Sequence, residues 1–573
     1  MKNIEIATIF RKIANILEIK ADNPFRIRAY ERAAQNLEGL TEDLETITQE
    51  NRLQQIPGIG KDLESKIKEF LQTGKIKFYE DLQKTIPLGL LEILNIPSVG
   101  PKTAKLLYEN LKIKNIEDLE KKAKTGKLIG LPNIQQKTVE NILRGIEILK
   151  KGKERMHLAM ASNAAEEFMK PLGKLSEVKK ISVAGSLRRM KETVRDIDIL
   201  IVSTQPKKIM DVFSKLTPVK QILAKGETKS SVLTKDNIQV DLRVVEAKSF
   251  GAALLYFTGS KNFNIRLRQL ALKKQLKINE YGIFSMKGKT EKYLAGKTEE
   301  EIFKQLGMDY VVPELREDNG EIELALKGEV PKLIELKDIK GDFHCHSIYS
   351  DGGNSISEMA EVAIKKGYKY IALTDHSQSL KVANGLNLAD LKRKKEEIER
   401  LNKNFKDFRI LFGTEIEIDK NGDLDYKEKT LSEFDIVVAA IHSGFKQSKE
   451  QLTKRIVKAC RNKYVDIIAH PTGILWGTRY AYELNFDEVF KVASDTGTFL
   501  EINAFPNRLD LNDIHCRRAK ELGVKLAVGT DAHTSEQLNM MNLGIAVARR
   551  GWLSKEDVVN CLPLEELRKV MKK

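Results

Sequence analysis

Val183-Ala-Gly-Ser-Leu-Arg-Arg189 and Arg195-Asp-Ile-Asp-Ile-Leu-Ile-Val202 are the neighbouring stretches that decide the fold of the central part of this chain. The first predicts the end of a strand that runs into a Gly-Ser turn. Residues 197–202, rich in β-branched side chains, predict a buried strand. Side chains along a strand alternate between its two faces, so Asp196 and Asp198 face the same side.

A third acid, Asp241, stands in another strand-like run, Ile238-Gln-Val-Asp-Leu-Arg-Val-Val245. Three carboxylates on adjacent strands repel one another unless cations lie between them. Hard oxygen ligands suit Mg²⁺, and two ions about 3.5–4 Å apart serve in-line phosphoryl displacement. An isolated Asp-x-Asp pair is usually only a solvated strand face, but the turn before it and the acid after it favour a catalytic site. The turn offers N–H groups and a hydroxyl to phosphates, and Arg188 and Arg189 add guanidinium donors.

These motifs resemble a known family. Gly-Ser-x-Arg-Arg at 185–189 followed by Asp-x-Asp resembles the palm of family X DNA polymerases, the relatives of polymerase beta. A second block, Tyr256-Phe-Thr-Gly-Ser-Lys-Asn-Phe-Asn264 with Arg268 and then Asn279-Glu-Tyr281, resembles the nucleotide-facing thumb of that family. The resemblance implies a DNA-directed DNA polymerase that fills short gaps, acting on gapped or primed DNA with deoxynucleoside triphosphates.

The resemblance also implies roles for single residues. Asp196, Asp198 and Asp241 would be the catalytic acids and would hold Mg²⁺. Tyr256 and Phe257 resemble a gate that disfavours ribonucleotides, although a core aromatic pair would look the same. The expected nucleotide contacts are Arg155, Gly185, Ser186, Arg189, Tyr256, Phe257, Gly259 and Asn264, with Arg268 on the template minor groove. Arg195 departs from the family, which usually has glycine there, and would either contact a phosphate or crowd the nucleotide.

The positive charge is concentrated before the last 233 residues. Of 97 basic and 81 acidic residues, 36 and 34 respectively lie from Gly341 onward, so nearly all of the net charge of +16 precedes it. That first part is the expected partner of a polyanion. The cysteines (Cys345, Cys460, Cys516 and Cys561) form no Cys-x-x-Cys pair, and no apolar run approaches the roughly 20 residues that span a bilayer. We therefore expect a soluble, cytoplasmic protein without a membrane partner, and a monomer.

The N-terminal part repeats a helix–hairpin–helix pattern. Helical spacing at 4–18 and 24–37 precedes Ile56-Pro-Gly-Ile-Gly-Lys61, then Ile96-Pro-Ser-Val-Gly-Pro-Lys102, and finally a degenerate copy with Asn133 and Gln135 in place of glycines. Such hairpins present backbone N–H groups to a phosphate without reading the base. One copy could be an ordinary turn, but repetition favours DNA binding, and the expected contacts are Gly58, Gly60, Gly100 and Lys102.

Lys66 is the candidate for a second activity. In polymerase beta relatives the first hairpin module carries a lyase lysine, and alignment on the first hairpin places it at Lys66. A lysine near other cations can attack a sugar aldehyde as a Schiff base. Lys61, Lys66 and Lys68 would, however, look the same on an ordinary charged helix face.

Histidines and acids recur at strand ends beyond Gly341. Apolar runs there finish on ligand-type residues, and amphipathic helices lie between them. Seven such units predict a (β/α)₇ barrel with its active face at the C-terminal strand ends. Mixed imidazole and carboxylate ligands suit two or three ions of Zn²⁺, Mn²⁺ or Fe²⁺, with Mn²⁺ or Zn²⁺ preferred. The candidate ligands are His344, His346, Asp351, His376, Glu415, His442, His470, Asp531 and His533.

This pattern resembles the PHP (polymerase and histidinol phosphatase) domain, which implies a metal-dependent 3′–5′ exonuclease, and AP endonuclease or 3′-phosphatase activity could share the site. Two alternatives stay open: hydrolysis of a small phosphomonoester, or a metal-stabilised scaffold without activity. The expected fold is multidomain, α+β and α/β. Its domains are a helical DNA-binding module (1–85), helix–hairpin–helix fingers (86–150), a nucleotidyltransferase palm (151–245), a thumb (246–315), a linker that could hold a short hairpin (316–340) and the PHP barrel (341–573).

Overall fold

The computed structural model divides into two compact units, Met1–Glu154 and Arg155–Lys573, named here the N-terminal and C-terminal units. The residues that the structure describes are 2–38, 44–56, 58–87, 89–94, 96, 99–132, 134–136, 138–140, 142, 143, 146, 155–287, 290–476 and 479–572. Pro57, Pro97, Ser98 and Asn133 of the predicted hairpins, and the predicted domain limit at 150/151, lie outside them. No helix within the described ranges is both long and apolar enough to cross a bilayer.

The described secondary structure of the N-terminal unit is helical, and the helices predicted at 4–18 and 24–37 are confirmed. Their apolar faces pack into one core that extends through the unit. Gly60 and Gly100 are the N-caps of the helices that follow the first two hairpins. The α-helices are Lys2–Ile19, Pro24–Glu38, Leu44–Gln49, Lys61–Thr73, Lys77–Gln83, Gly89–Ile93, Pro101–Leu111 and Ile116–Lys124, with a 3₁₀ turn at Leu53–Gln55.

A five-stranded sheet forms the palm within residues 155–287, in the order β2-β4-β7-β6-β5. β4 and β7 are parallel, whereas the other neighbours are antiparallel. The strands are β1 (Met156–His157), β2 (Lys180–Val183), β3 (Thr193–Val194), β4 (Asp196–Val202), β5 (Val219–Lys225), β6 (Lys229–Thr234) and β7 (Gln239–Val245), with helices Leu158–Gly173, Gly185–Arg188 and Pro206–Phe213. β4 confirms the predicted strand, but the predicted Gly-Ser turn is a single helical turn that begins at Gly185.

The thumb follows with its own small core around the helices and a three-stranded antiparallel sheet ordered β10-β9-β8. The helices are Phe250–Thr258, Lys261–Lys273 and Glu299–Gln305, and the strands are β8 (Leu276–Asn279), β9 (Gly282–Ser285) and β10 (Lys292–Ala295). The helix Lys261–Lys273 places Asn264 and Arg268, four residues apart, on one helical face.

Residues 316–340 are packed, which corrects the expectation of a linker. They contain the helix Glu321–Lys327, and Ile322 and Leu333 join the thumb core. The side chain of Arg316 is fully buried, with Nη1 2.6 Å from Oε1 of Glu299. The charged composition of this segment suggested a solvated linker, but Arg316 can be buried because Glu299, distant in sequence, pairs with its charge.

The last part is a parallel barrel, as predicted. Between residues 341 and 572, apart from 477 and 478, seven strands follow one another in chain order, and a parallel bridge between Cys345 and Ala532 brings the last strand beside the first. The strands are β11 (Gly341–Cys345), β12 (Tyr370–Leu373), β13 (Arg409–Glu417), β14 (Ile436–Ala440), β15 (Ile467–Ile468), β16 (Phe499–Asn503) and β17 (Leu526–Gly529). The α-helices are Ile356–Lys365, Leu388–Asn402, Glu428–Leu431, Lys449–Cys460, Phe486–Thr496, Asp513–Glu521, Met541–Arg550 and Leu564–Val570.

Two candidate active sites

The palm gathers its three acids on β4 and β7. Asp196 and Asp198 alternate with buried isoleucines along β4 and are both partly exposed, as the period-two pattern predicts. β7 runs parallel to β4, and the register places Asp241 directly opposite Asp198. Gln239 Nε2 donates a hydrogen bond of 3.0 Å to Oδ1 of Asp241. The structure therefore brings the predicted catalytic acids to one face of the sheet.

The electrostatics of this face suit a divalent cation. Burial, followed by the charges of Asp196 and Asp241, raises the pKa of Asp198 to about 7. A carboxylate cluster behaves in this way when it has no counter-ion, and carboxylate oxygens are the donors that Mg²⁺ prefers. Gly185, at φ +63°, approaches so closely that a Cβ there would lie 2.5 Å from Oδ2 of Asp198. The glycine of the motif is therefore required for space as well as for its backbone conformation.

The predicted phosphate-binding arginines are already oriented by protein groups. Nε and Nη2 of Arg155 donate to Oγ1 and the carbonyl of Thr193 at 2.7 and 2.6 Å. Arg189 Nε donates to Oε1 of Glu317 at 3.0 Å, and its Nη1 donates to the carbonyl of Thr258. Burial, and then the positive charge of Arg195, lowers the pKa of Arg155. Arg195 is exposed and contributes to the same positive region.

The aromatic pair of the predicted gate lies in the last turn of the helix Phe250–Thr258. The rings of Tyr256 and Phe257 meet edge to face with centroids 5.1 Å apart, and the guanidinium carbon of Arg243 lies 4.2 Å from the centroid of Phe257. Asn264 Nδ2 donates to the carbonyl of Tyr256 at 2.7 Å, and Arg268 Nε donates to the carbonyl of Asn264 at 3.2 Å. The predicted gate, Asn264 and Arg268 are therefore connected within the thumb by hydrogen bonds.

Lys66 lies in the helix Lys61–Thr73 of the N-terminal unit. Its side chain is 12% exposed, and Nζ lies 2.5 Å from Oδ1 of Asp62 and 5.2 Å from the ring centroid of Phe78. Lys68, one half-turn away, is 37% exposed and pairs with Glu64 at 2.8 Å. Lys66 is therefore held against an acid and an aromatic ring, unlike an ordinary solvated lysine.

All nine predicted barrel ligands come together. Glu415 lies among five histidines: its Oε1 is 2.9 Å from His470 Nε2 and 3.2 Å from His442 Nε2, and its Oε2 is 2.9 Å from His376 Nδ1, 3.3 Å from His344 Nε2 and 3.6 Å from His346 Nε2. Three groups have ligand atoms within 4.8 Å of one another: His346 with Asp351, His376 and His533; His344 with His346 and Asp531; and His376 with Glu415 and His442.

The donor chemistry of the barrel fits a metal centre. Among the described residues, Nε2 of His344 and both ring nitrogens of His346 are buried without a hydrogen-bond partner. Buried polar atoms rarely lack partners, so these nitrogens are suited to a ligand. Burial and the charge of His376 lower the pKa of His346 to about 4, which keeps that ring neutral with one nitrogen lone pair available to a metal. Burial alone would also lower the pKa of His376, but Glu415 and Asp351 raise it to about 10.

Two acids outside the predicted ligand set orient its histidines. Glu501 of β16 lies 2.7 Å from His344 Nδ1, and its other oxygen accepts the backbone N–H of His470 at 2.7 Å. Glu417 Oε2 lies 2.9 Å from His442 Nδ1. Glu501 could have been recognised from the sequence because it is a carboxylate within an apolar strand, and a buried carboxylate is rare without a partner. Gly529 makes room, because a Cβ there would lie 2.2 Å from Oε1 of Glu501.

A polymerase beta-type palm and thumb followed by a histidine-rich (β/α)₇ barrel define a nucleotidyltransferase fused to a metal-dependent phosphoesterase. Over 575 residues, covering 100% of both chains, the sequence is 40% identical to the DNA polymerase/3′-5′ exonuclease PolX of Bacillus subtilis (strain 168). The chain belongs to the PolX family of DNA polymerases that also have 3′–5′ exonuclease activity.

Comparisons of individual regions agree with this assignment. Family models match the helix-hairpin-helix domain at residues 1–76, the SAM-like helix-hairpin-helix tandem at 90–147, the DNA polymerase beta thumb at 253–317 and the PHP domain at 342–505. A probable phosphatase of Thermoanaerobacter sp. (strain X514) is 35% identical over 234 residues, 38% of this chain and 89% of that protein. A probable phosphatase of Acetivibrio thermocellus is 32% identical over 205 residues, 34% and 79% of the two chains.

Proposed function

We propose that this DNA polymerase/3′–5′ exonuclease fills short gaps during DNA repair, extending primers at the palm and removing 3′-terminal nucleotides at the barrel. The observation that carries the proposal is the presence of two separate ligand clusters within the C-terminal unit, one on β4 and β7 and the other around Glu415. The likeness to the Bacillus subtilis enzyme extends over the whole of both chains, so both clusters fall within it.

At the palm, Asp196, Asp198 and Asp241 would hold Mg²⁺. When bound, Mg²⁺ neutralises charge on the triphosphate and makes the primer 3′-hydroxyl easier to deprotonate. The residues of the chain supply positioning: the Gly185–Ser186 backbone and hydroxyl and the guanidinium groups of Arg155 and Arg189 contact the triphosphate. Gly259 keeps the adjoining backbone close to Arg189, because a Cβ there would lie 3.0 Å from Arg189 Nη1.

The thumb and the hairpins would select and hold the rest of the substrate. Tyr256 and Phe257 would exclude a 2′-hydroxyl, Asn264 would contact the nucleotide, and Arg268 would contact the template minor groove. The hairpins bind backbone phosphates through Gly58, Gly60, Gly100 and Lys102. Gly58, at φ +85°, adopts a conformation that favours glycine, and Gly60 and Gly100 leave the N–H groups of the following helices without a side-chain cap.

At the barrel, Mn²⁺ or Zn²⁺ would be held by the nine ligands gathered there, in two or three positions. Such ions lower the pKa of bound water and polarise a phosphodiester. The chain itself fixes the histidine orientations, through Glu501 for His344 and Glu417 for His442. Arg508 Nε, 3.3 Å from Oδ2 of Asp531, adds a positive charge beside the cluster that suits a phosphate.

A second candidate activity of the barrel is hydrolysis of phosphomonoesters. Two relatives, which match 38% and 34% of this chain, are probable phosphatases. A 3′-phosphatase or AP endonuclease acting on DNA would use the same cluster as the exonuclease. We further propose that Lys66 serves as a lyase nucleophile and that the protein acts as a monomer.

One experiment tests the polymerase and nuclease assignments together. The full-length protein is incubated with primed, gapped DNA in Mg²⁺ or Mn²⁺, with and without deoxynucleotides. We expect primer growth with nucleotides and primer shortening without them, both abolished by a chelator. If highly purified protein never shortens a primer in Mn²⁺ but hydrolyses small phosphomonoesters at a rate insensitive to salt, the barrel is a phosphatase. If it does neither, the barrel is a scaffold.

A further inference from the structure

Arg189, which the proposed function places on the triphosphate, is held by residues outside the palm. Its side chain is 12% exposed, and Nε lies 3.0 Å from Oε1 of Glu317. Glu317 belongs to the packed segment that follows the thumb. Arg189 Nη1 also donates to the carbonyl of Thr258, the last residue of the thumb helix that carries the gate. The guanidinium therefore has a defined position before any nucleotide arrives.

The barrel reaches the same carboxylate. Arg550 ends the helix Met541–Arg550, which packs against β17, and its side chain is 3% exposed. Its Nη1 lies 3.1 Å from Oε1 of Glu317 and donates to the backbone carbonyl of Arg189 at 2.8 Å. Its Nη2 lies 2.5 Å from Oδ2 of Asp513, in the barrel helix that follows β16. Arg550 therefore holds Arg189 at its backbone and, through Glu317, at its side chain.

The arrangement affects how tightly a nucleotide can bind. A free arginine side chain has many rotamers, and ordering it on a ligand costs binding energy unless the protein has ordered it beforehand. One carboxylate oxygen shared by two guanidinium groups also binds each of them less strongly than it would bind one alone. Without Arg550, Glu317 would be left to Arg189 and to Lys191, 3.8 Å away, and would compete with a triphosphate for Arg189.

We propose that Arg550 and Asp513 of the barrel are positioning residues for the polymerase site, acting through Glu317 on Arg189 to favour deoxynucleotide binding. This inference rests on the proposed contact between Arg189 and the triphosphate. It assigns to the barrel a second role, independent of its own hydrolytic cluster, because neither Arg550 nor Asp513 belongs to the groups of candidate metal ligands.

The test is steady-state gap filling by the full-length protein. Arg550→Met should raise the KM for the incoming deoxynucleotide about tenfold, the loss expected for a charge-assisted hydrogen-bond network, with a smaller change in kcat. Primer shortening without nucleotides should be unchanged, which also shows that the variant is folded. Arg549→Met is the matched control: Arg549 pairs with Glu314 at 2.7 Å at the same interface without contacting Arg189, so its KM should stay at the wild-type value.

A double-mutant cycle separates positioning from general loosening. Arg189→Met should raise the KM, and adding Arg550→Met to it should have no further effect. A full additional rise in the double variant, or no rise in Arg550→Met alone, would overturn the inference while leaving the role of Arg189 intact. An unchanged KM in Arg189→Met would overturn the nucleotide contact itself. Should Arg550→Met not fold, Asp513→Asn, which keeps Arg550 and weakens its anchor, must raise the KM in the same direction or the inference fails.

Discussion

Asp198 of β4 and Asp241 of β7 lie directly opposite each other in adjacent parallel strands. The strand pairing fixes the backbones of these two residues side by side, and burial, followed by the charges of Asp196 and Asp241, raises the pKa of Asp198 to about 7. The fold therefore holds an electrostatic repulsion that a divalent cation relieves. This relationship makes the palm acids the first target for mutation.

Asp198→Ala should lower gap filling by at least about 10²-fold, the scale of loss when one group that stabilises transition-state charge is removed. Primer shortening should persist, because the barrel ligands form a separate cluster. The measurement is extension and shortening of one labelled primer by one preparation. Asp236→Ala, an exposed acid in the turn before β7, is the control and should retain both activities. Loss of both activities in a folded Asp198→Ala protein would contradict two independent sites.

Replacing His344 and His346 together by Ala should abolish primer shortening and leave gap filling in place. The buried ring nitrogens of these two histidines would bind the proposed metals. Catalytic metals keep an open coordination position, whereas structural metals are normally enclosed by their ligands. Bound metal per chain, measured after dialysis, should fall as well. His157→Ser is the control, since serine can also cap the helix that His157 caps. If the wild-type protein does not shorten primers and the double variant only loses thermal stability, the barrel is a scaffold.

Lys66→Ala should abolish a covalent adduct that borohydride traps between the wild-type protein and a 5′-deoxyribose phosphate end. The proposed Schiff base requires this amine. Lys68→Ala, on the same helix but paired with Glu64, should form the adduct normally. Gel mobility of the labelled adduct is the readout. An undiminished adduct in Lys66→Ala would assign the chemistry to another lysine, and no adduct with the wild type would remove the activity.

Because of Glu299, the free energy of unfolding should depend on pH in the acid range. Burial alone would raise its pKa, but Arg316 and Arg188 lower it from 4.5 to about 2. The lowered folded pKa means that its contribution is fully present above about pH 4.5 and is lost as the pH falls towards 2. Glu299→Gln should therefore have a lower free energy of unfolding than the wild type at pH 6. Its free energy of unfolding should also fall less than that of the wild type between pH 6 and pH 3, as measured by urea unfolding. Glu300 is exposed, so Glu300→Gln should show the same pH dependence of stability as the wild type. If the stability of Glu299→Gln also depends on pH as steeply as that of the wild type, the pH dependence does not come from Glu299.

Much of both sites could be predicted because the relevant spacing is local. The alternation in β4 places Asp196 and Asp198 on one face without reference to the rest of the chain. The barrel ligands follow or end apolar runs, and parallel strands bring their C-terminal ends together, so Glu415 and its histidine neighbours could be grouped in advance. A different signal could have found Glu501, a carboxylate at an interior position of an apolar strand.

The sequence by itself determined the order of modules, the metal-type ligands and the motifs that carry chemistry, since these depend on residue type and short-range periodicity. Tertiary structure alone decided which charges are buried together. Arg316 and Glu299 form a buried pair in a segment whose composition resembled a linker, and Arg550 reaches Glu317 and Arg189 across the chain. Such contacts join residues far apart in sequence, and their partners are set by how whole elements pack, which no local pattern encodes.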